Sequence, residues 1–262
     1  MCRWLAYVGE PTFLDDYVTA PEHSLVAQAL HAEEAVSATQ GDGFGLGWYG
    51  ERDLPGLYRE VRPAWSDDNL LNLCRQVRAH LFFAHVRAAT EGAVARANCH
   101  PFVNERIMFM HNGQIGGFAK VRRQIEALIN DDYYEDRAGA TDSEALFLAL
   151  LSQGLMPDPV RAMARLLDQV ARLMRLAGLI EPLRFTSALS DGETLYAFRW
   201  ATDEHAPSLY WREDKGGVLI ASEPLDLKRE HWREVPKGCA LVARSGQPCH
   251  IRCLTEAMRA AA

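Results

Sequence analysis

The sequence has no apolar run approaching the roughly 20 consecutive residues that a membrane-spanning helix needs. Its beginning lacks the basic stretch, apolar stretch and small-residue cleavage site of a secretory signal, so the cytosol is the expected compartment. Paired CxxC spacing is missing among the six cysteines (Cys2, Cys74, Cys99, Cys239, Cys249, Cys253), which argues against both a zinc site and a disulfide framework. Cys249 and Cys253 lie four apart around His250, but no second ligand pair accompanies them. No cluster of Lys and Arg stands out in a chain of net charge −7, so a nucleic-acid surface is not expected. Internal repeats, low-complexity linkers and a convincing domain boundary are also lacking, and one domain over residues 2–262 is the simplest division.

What is present is an ordinary globular composition. The chain has 262 residues, 48% hydrophobic and 24% charged, which is enough to bury a substantial core. An opening apolar run, Trp4 to Val8, predicts a strand, and Pro11 and Pro21 bracket an expected loop. Ser24 predicts the cap of a short helix over Leu25 to Leu30. Four glycines fall between Gly41 and Gly47, and the alternation Phe44, Leu46, Trp48 predicts a strand against which another backbone packs closely. No Gly-Lys-Ser/Thr follows, so this is not a phosphate loop.

Ser66 is the expected cap of a helix with Leu70, Leu73, Cys74 and Val77 on one face. Strands are predicted at Leu81 to Val86 and at Ile107 to His111, the second ending at Asn112-Gly113. Phe118, Val121, Ile125 and Leu128 stripe another helix, and Asp131 to Gly139 is the expected mobile loop. Thr141-Asp142-Ser143-Glu144 matches a capping box, and a long helix is predicted from Pro159 to near Gly178. Beyond it, hairpins are predicted around Asp191-Gly192 and Gly216-Gly217, with shorter strands near Cys239 and His250. These elements predict an α+β protein of mostly antiparallel sheets with covering helices.

Four places carry chemistry, each with a plain alternative. Loss of Met1 leaves Cys2 with a thiol, pKa about 8.5, and an α-amine, pKa about 7.7 to 8.0, on one residue. Nucleophile and base are then neighbours; otherwise Cys2 is a small apolar residue at a strand start. Asn112-Gly113 offers a side-chain amide and a backbone N–H suited to an oxyanion, or else a hairpin turn. Arg87, just past a strand, either grips a carboxylate with two bonds or forms a solvated salt bridge. Asp142 either receives an ammonium or simply complements a helix dipole.

Taken in order, these residues belong to a recurring pattern. It comprises Met1-Cys2, the glycine-rich strand Gly43 to Trp48, His85-Val86-Arg87-Ala88-Ala89-Thr90-Glu91-Gly92, Asn98-Cys99-His100-Pro101-Phe102, His111-Asn112-Gly113 and Thr141-Asp142-Ser143-Glu144. The pattern resembles the class II glutamine amidotransferase domain of the N-terminal nucleophile hydrolases, over roughly residues 2–150. Ala221-Ser222-Glu223-Pro224 adds a weaker match to stand-alone members, such as the γ-glutamyl hydrolase of ergothioneine biosynthesis.

The resemblance implies a four-layer αββα sandwich and a role for each matched residue. Cys2 would be the nucleophile and its α-amine the base, and Asn112 and Gly113 the oxyanion hole. Arg87 and Thr90 would hold the α-carboxylate end of glutamine and Asp142 its ammonium, with His100 as structural support. No metal and no cofactor is implied. In the glucosamine-phosphate synthase branch a histidine follows the threonine, where this chain has Glu91, which leaves that contact undefined. The activity implied is hydrolysis of glutamine or another γ-glutamyl amide through a cysteinyl thioester. Delivery of ammonia to a separate synthase subunit, a homo-oligomer, and a non-catalytic amide-binding scaffold are the other expectations left open.

Overall fold

The computed structural model describes residues 2–34, 39–89 and 93–259, the last two of these as backbone only. Among the described residues, thirteen strands form two sheets in which every paired neighbour is antiparallel. The first sheet contains β1 (Arg3–Phe13), β2 (Phe44–Tyr49), β3 (Gly56–Glu60), β4 (Arg78–Val86), β9 (Tyr210–Asp214), β10 (Gly217–Ala221) and β11 (Arg233–Glu234). Its order is β11-β9-β10-β1-β4-β2-β3. The second contains β5 (Phe102–Asn104), β6 (Ile107–Ile115), β7 (Leu183–Ser190), β8 (Thr194–Ala201), β12 (Cys239–Arg244) and β13 (His250–Cys253). Its order is β13-β12-β8-β7-β6-β5.

Side-chain alternation explains why the sheets stack. Successive side chains of a strand point to opposite faces. On β1, Leu5 and Tyr7 join the core beneath α1 (Asp15–Val18), α2 (Leu25–Leu30) and α3 (Asp68–Gln76), whereas Trp4, Ala6 and Val8 join the core between the sheets. On β6, Met108 and Met110 face that same inter-sheet core, while Phe109 and Ile115 face α4 (Phe118–Glu126), α6 (Asp142–Ser152) and α7 (Pro159–Leu176). Strands buried on both faces require cover on both, and the result is a four-layer αββα sandwich. Two short helices complete the order, α5 (Asp131–Tyr134) and α8 (Leu254–Arg259).

Several local expectations need correcting. β1 does not stop before Pro11 but runs on to Phe13, with a register shift between Val8 and Thr12 that accommodates the proline. Asp67, not Ser66, caps α3: its carboxylate accepts from the Leu70 N–H at 2.7 Å, while the Ser66 hydroxyl donates back to Pro63 O. The segment expected to be a mobile loop is tied down instead. Arg137 pairs with Glu126 at 2.8 Å and with Glu144, and the Ala138 and Gly139 N–H groups donate to Glu144. That use of Glu144 leaves the capping box half formed, with the Thr141 hydroxyl accepting from the Glu144 N–H at 3.2 Å.

The glycine-rich strand does meet another backbone. A Cβ on Gly45 would lie 2.0 Å from the His100 carbonyl oxygen, so only glycine lets the 99–101 segment press onto β2. The six cysteines are free, and Cys253 faces Cys239 across β12 and β13 with 3.6 Å between the sulfurs. Among the described residues no His, Cys, Asp and Glu group is arranged to hold a metal, and no helix is long and apolar enough to cross a membrane.

Candidate active site

Cys2 precedes β1 by one residue, and β1 lies between β4 and β10 in the first sheet. Pairing with β4 begins at Arg3–Val86, so residue 2 projects past the ladder toward the segment that follows Val86. There the Ala88 N–H donates to Cys2 Sγ at 3.4 Å. Burial pushes the Cys2 thiol up, opposed by the bond from Ala88 and by the positive charges of Arg87 and Arg3.

The segment carrying Arg87 is held by Asp42. Asp42 and Gly43 continue the exchange of backbone bonds with Arg87, and the Asp42 carboxylate accepts from the Ala89 N–H at 2.8 Å. Arg87 is 4% exposed, and one of its nitrogens donates to the Asp42 carbonyl oxygen. A solvated surface salt bridge is therefore not what Arg87 makes.

Across the gap, the second sheet supplies Asn112 and Gly113. The strand does not end there, contrary to the sequence reading, but continues to Ile115, pairing Asn112 with Thr186 and Gly113 with Phe185. No hairpin turn exists at this Asn-Gly. β5 covers β6 only at residues 107–109, so among the described residues no strand lies beside the far edge of β6 beyond Phe109. Asn112 shares the parity of Met108 and Met110 and so faces the inter-sheet side, toward Cys2. Its carbonyl accepts from the Thr186 hydroxyl, yet its buried Nδ2 has no hydrogen-bond partner among the described residues. Gly113 has φ 152°, and a Cβ there would lie 2.0 Å from the Arg184 carbonyl oxygen.

Asp142, the first residue of α6, fastens that helix to the free edge of β6. One carboxylate oxygen accepts from the Ile115 N–H at 2.9 Å, and the other from the Ser143 N–H at 2.7 Å. Ser143 reaches His111 Nδ1 at 2.8 Å, and His111 stacks on Phe185. His100 lines the site and packs against His85 at a tilt, with 4.3 Å between ring centroids. Burial lowers all three histidines, His85 to about 3.

One cleft gathers these groups. Cys2, Arg87, Asn112, Gly113 and Asp142 all line it, together with Asn98, His100 and Thr141. Thr90 and Glu91 lie outside the described residues, as does Met1. Sequence reasoning missed Asp42, and it missed the buried contact between Arg3 and Glu223, whose charged atoms approach to 2.8 Å. Only the Asp-Gly spacing at the glycine-rich strand hinted at the first; no spacing signals the second, which joins residues from opposite ends of the chain.

Comparison with known proteins agrees with this architecture. Residues 17–207 match the family described as glutamine amidotransferases class-II. The probable glutamine amidotransferase DUG3 of Saccharomyces cerevisiae is 32% identical, over 93% of this chain and 82% of its own length. The γ-glutamyl-hercynylcysteine sulfoxide hydrolase of Mycolicibacterium smegmatis is 26% identical, over 90% of this chain and 92% of its own. Among solved structures, a glutamine aminotransferase class-II domain protein from Silicibacter pomeroyi superposes with a TM-score of 0.75 at 38% identity, over 96% of this chain and 99% of that one. The glutamine phosphoribosylpyrophosphate amidotransferase of Bacillus subtilis shares the fold, with a TM-score of 0.61 at 15% identity over 97% of this chain and 49% of that one. The four layers are thus those of the N-terminal nucleophile hydrolase fold, and the chain belongs to the class II glutamine amidotransferases.

Proposed function

We propose that residues 2–262 form a single stand-alone unit that hydrolyses glutamine or another γ-glutamyl amide through a thioester on Cys2. The observation that carries this reading is the unpartnered, buried Nδ2 of Asn112, set in the same cleft as the Cys2 sulfur. A buried donor without an acceptor costs free energy, and such groups are retained where a reacting species supplies the missing partner.

With Met1 removed, the Cys2 α-amine accepts the thiol proton, and Sγ attacks the γ-carbonyl carbon of the substrate. The carbonyl oxygen becomes an oxyanion that receives the Asn112 Nδ2–H and the Gly113 N–H. Alternation along β6 supports the second donor: the Ile115 N–H points to the free edge, where Asp142 accepts it, and Gly113, two residues earlier, directs its N–H to the same side. Collapse of the intermediate breaks the C–N bond, and the amine leaves with the proton held by the α-amine. Water then cleaves the thioester, restoring the thiol and releasing glutamate.

Arg87 and Asp142 suit the opposite end of the substrate. A guanidinium and a carboxylate lining one cleft match the α-carboxylate and α-ammonium of a free γ-glutamyl group better than a peptide interior. Thr90 is assigned to the same end by its place in the sequence pattern. The similarity to DUG3 and to the γ-glutamyl-hercynylcysteine sulfoxide hydrolase supports this class of substrate without choosing the leaving amine.

The test is to incubate the intact protein with a panel of γ-glutamyl amides, glutamine among them, following glutamate release and the mass of any covalent adduct. A thioester adduct and glutamate release, both abolished in Cys2→Ala, are expected. Release that persists in Cys2→Ala would refute the mechanism.

A further inference from the structure

Cys2 has no ladder to hold it, since sheet pairing starts at Arg3. What reaches its backbone is the side chain of its own neighbour: Arg3 Nη1 donates to the Cys2 carbonyl oxygen at 3.2 Å. Arg3 is 1% exposed, and its Nε lies 2.8 Å from Glu223 Oε2. One planar guanidinium therefore touches two groups, with Nε in ion-pair contact with the carboxylate and Nη1 hydrogen-bonded to the carbonyl of the residue that carries the thiol.

The fold explains how these residues meet. β1 pairs with β10 up to Leu5–Ala221, and the exchange continues past the strand ends, with the Ser222 N–H donating to Trp4 O and the Trp4 N–H to the Ser222 hydroxyl. The same register carried one step further sets Glu223 opposite Arg3. The other carboxylate oxygen of Glu223 lies 2.7 Å from His23 Nε2 and accepts from the Glu33 N–H at 2.8 Å; Oε2 also accepts from the Glu34 N–H at 3.1 Å. A buried carboxylate with this many donors is fixed in place, and it fixes the guanidinium beside it.

We infer that Arg3 and Glu223 are positioning residues for the nucleophile: Glu223 orients the Arg3 guanidinium, which in turn holds the Cys2 carbonyl and so sets where the Cys2 amine and thiol stand in the cleft. The inference rests on the reading of Cys2 as nucleophile. It assigns the Ala221-Ser222-Glu223-Pro224 stretch a task that substrate binding does not. A merely structural ion pair would stabilise the sandwich without affecting the reactivity of Cys2.

Two variants separate these cases. Arg3→Lys keeps a positive charge beside Glu223, but a single nitrogen on a flexible stem replaces the rigid planar pair that contacts the carboxylate and the Cys2 carbonyl. Glu223→Gln keeps the side-chain shape and removes the charge that orients Arg3. The full-length protein is treated with iodoacetamide at pH 7.5, and alkylation of Cys2 is followed by mass spectrometry of the N-terminal peptide. Steady-state hydrolysis of glutamine and γ-glutamyl-p-nitroanilide, and Tm, are measured alongside.

For Arg3→Lys, alkylation of Cys2 should slow at least about fivefold. kcat should fall with it, while KM stays within about twofold and Tm stays near the parent value. Glu223→Gln should show the same split if it folds, and if it does not, Arg3→Lys decides alone. Alkylation at the parent rate would overturn the inference, whether Tm is kept or lowered. Alkylation needs no substrate, so a parent protein inactive on every γ-glutamyl amide defeats the proposed function while leaving this comparison decisive.

Discussion

Asn112 and Arg87 show how differently two residues of one cleft were written in the sequence. Arg87 was legible as the residue just past a strand, and it is there, though buried and not solvated. Asn112-Gly113 read equally well as a turn, because the period-2 signal stops at His111 and Asn-Gly favours hairpins. The continuation to Ile115 depends on tertiary contacts, namely pairing with β7 and the Asp142 carboxylate on the Ile115 N–H. Arg3–Glu223 was illegible altogether, since only the folded register brings them together. Asn112→Ala should lower kcat on a γ-glutamyl amide by about 100- to 1000-fold with little change in KM, as expected when an oxyanion donor is lost. An unchanged kcat would exclude Asn112 from that role. Arg87→Ala should lower kcat/KM by on the order of 2 to 4 kcal/mol through lost charge-assisted bonds. A γ-glutamyl analogue lacking the α-carboxylate should show no such penalty, and a penalty of equal size there would count against the assignment.

At the scale of elements, hydrophobic periodicity carried most of the information. α4 and α7 lie where their stripes predicted, with Phe118, Val121 and Ile125 buried on one and Met163, Leu166 and Val170 on the other. α6 is buried along nearly its whole length, from Ser143 to Leu151, because it is enclosed by the second sheet and neighbouring helices. Its start was found from the cap, not from a stripe. The polar segment after α5 was misread because composition does not reveal that Arg137 and two backbone N–H groups converge on Glu144. Asp158 joins two elements: it caps α7 by accepting from the Arg161 N–H at 3.2 Å, and it receives both ends of the Arg252 guanidinium from β13. Asp158→Ala should reduce stability by about 0.5 to 2 kcal/mol, dominated by the cap because the ion pair is partly exposed. Urea unfolding measures this, and hydrolysis should be unaffected because Asp158 does not line the cleft.

For the whole molecule, acid is the informative perturbation. Burial holds His85 neutral down to about pH 3, and His100 and His111 are lowered by the same cause. The unfolded chain binds these protons near the ordinary value of 6.5, so their contribution to stability is complete above that pH. For His85 it declines as pH falls from 6.5 toward about 3, by up to about 1.4 kcal/mol per pH unit, and the contributions of His100 and His111 change in the same direction. Between pH 6.5 and 5 the unfolded chain begins to take up these protons while His85 stays neutral in the fold. Urea midpoints should fall across this interval, and His85→Gln should flatten the slope; a midpoint independent of pH would contradict the buried, neutral assignment. The four layers were implied by the family resemblance, and antiparallel sheets with covering helices were legible in the order of strand and helix patterns. The strand order was not, since sequence spacing does not reveal which distant strands become neighbours.

That order has a consequence for biosynthesis. β1 precedes the other described strands in sequence, yet one of its two flanks is occupied by β10, and the Arg3 guanidinium waits for Glu223 just beyond it. Until that late segment emerges from the ribosome, β1 lacks the strand on one of its flanks and Arg3 lacks its buried counter-charge. A nascent polypeptide therefore leaves the surroundings of Cys2 unassembled until the β10 segment joins the first sheet.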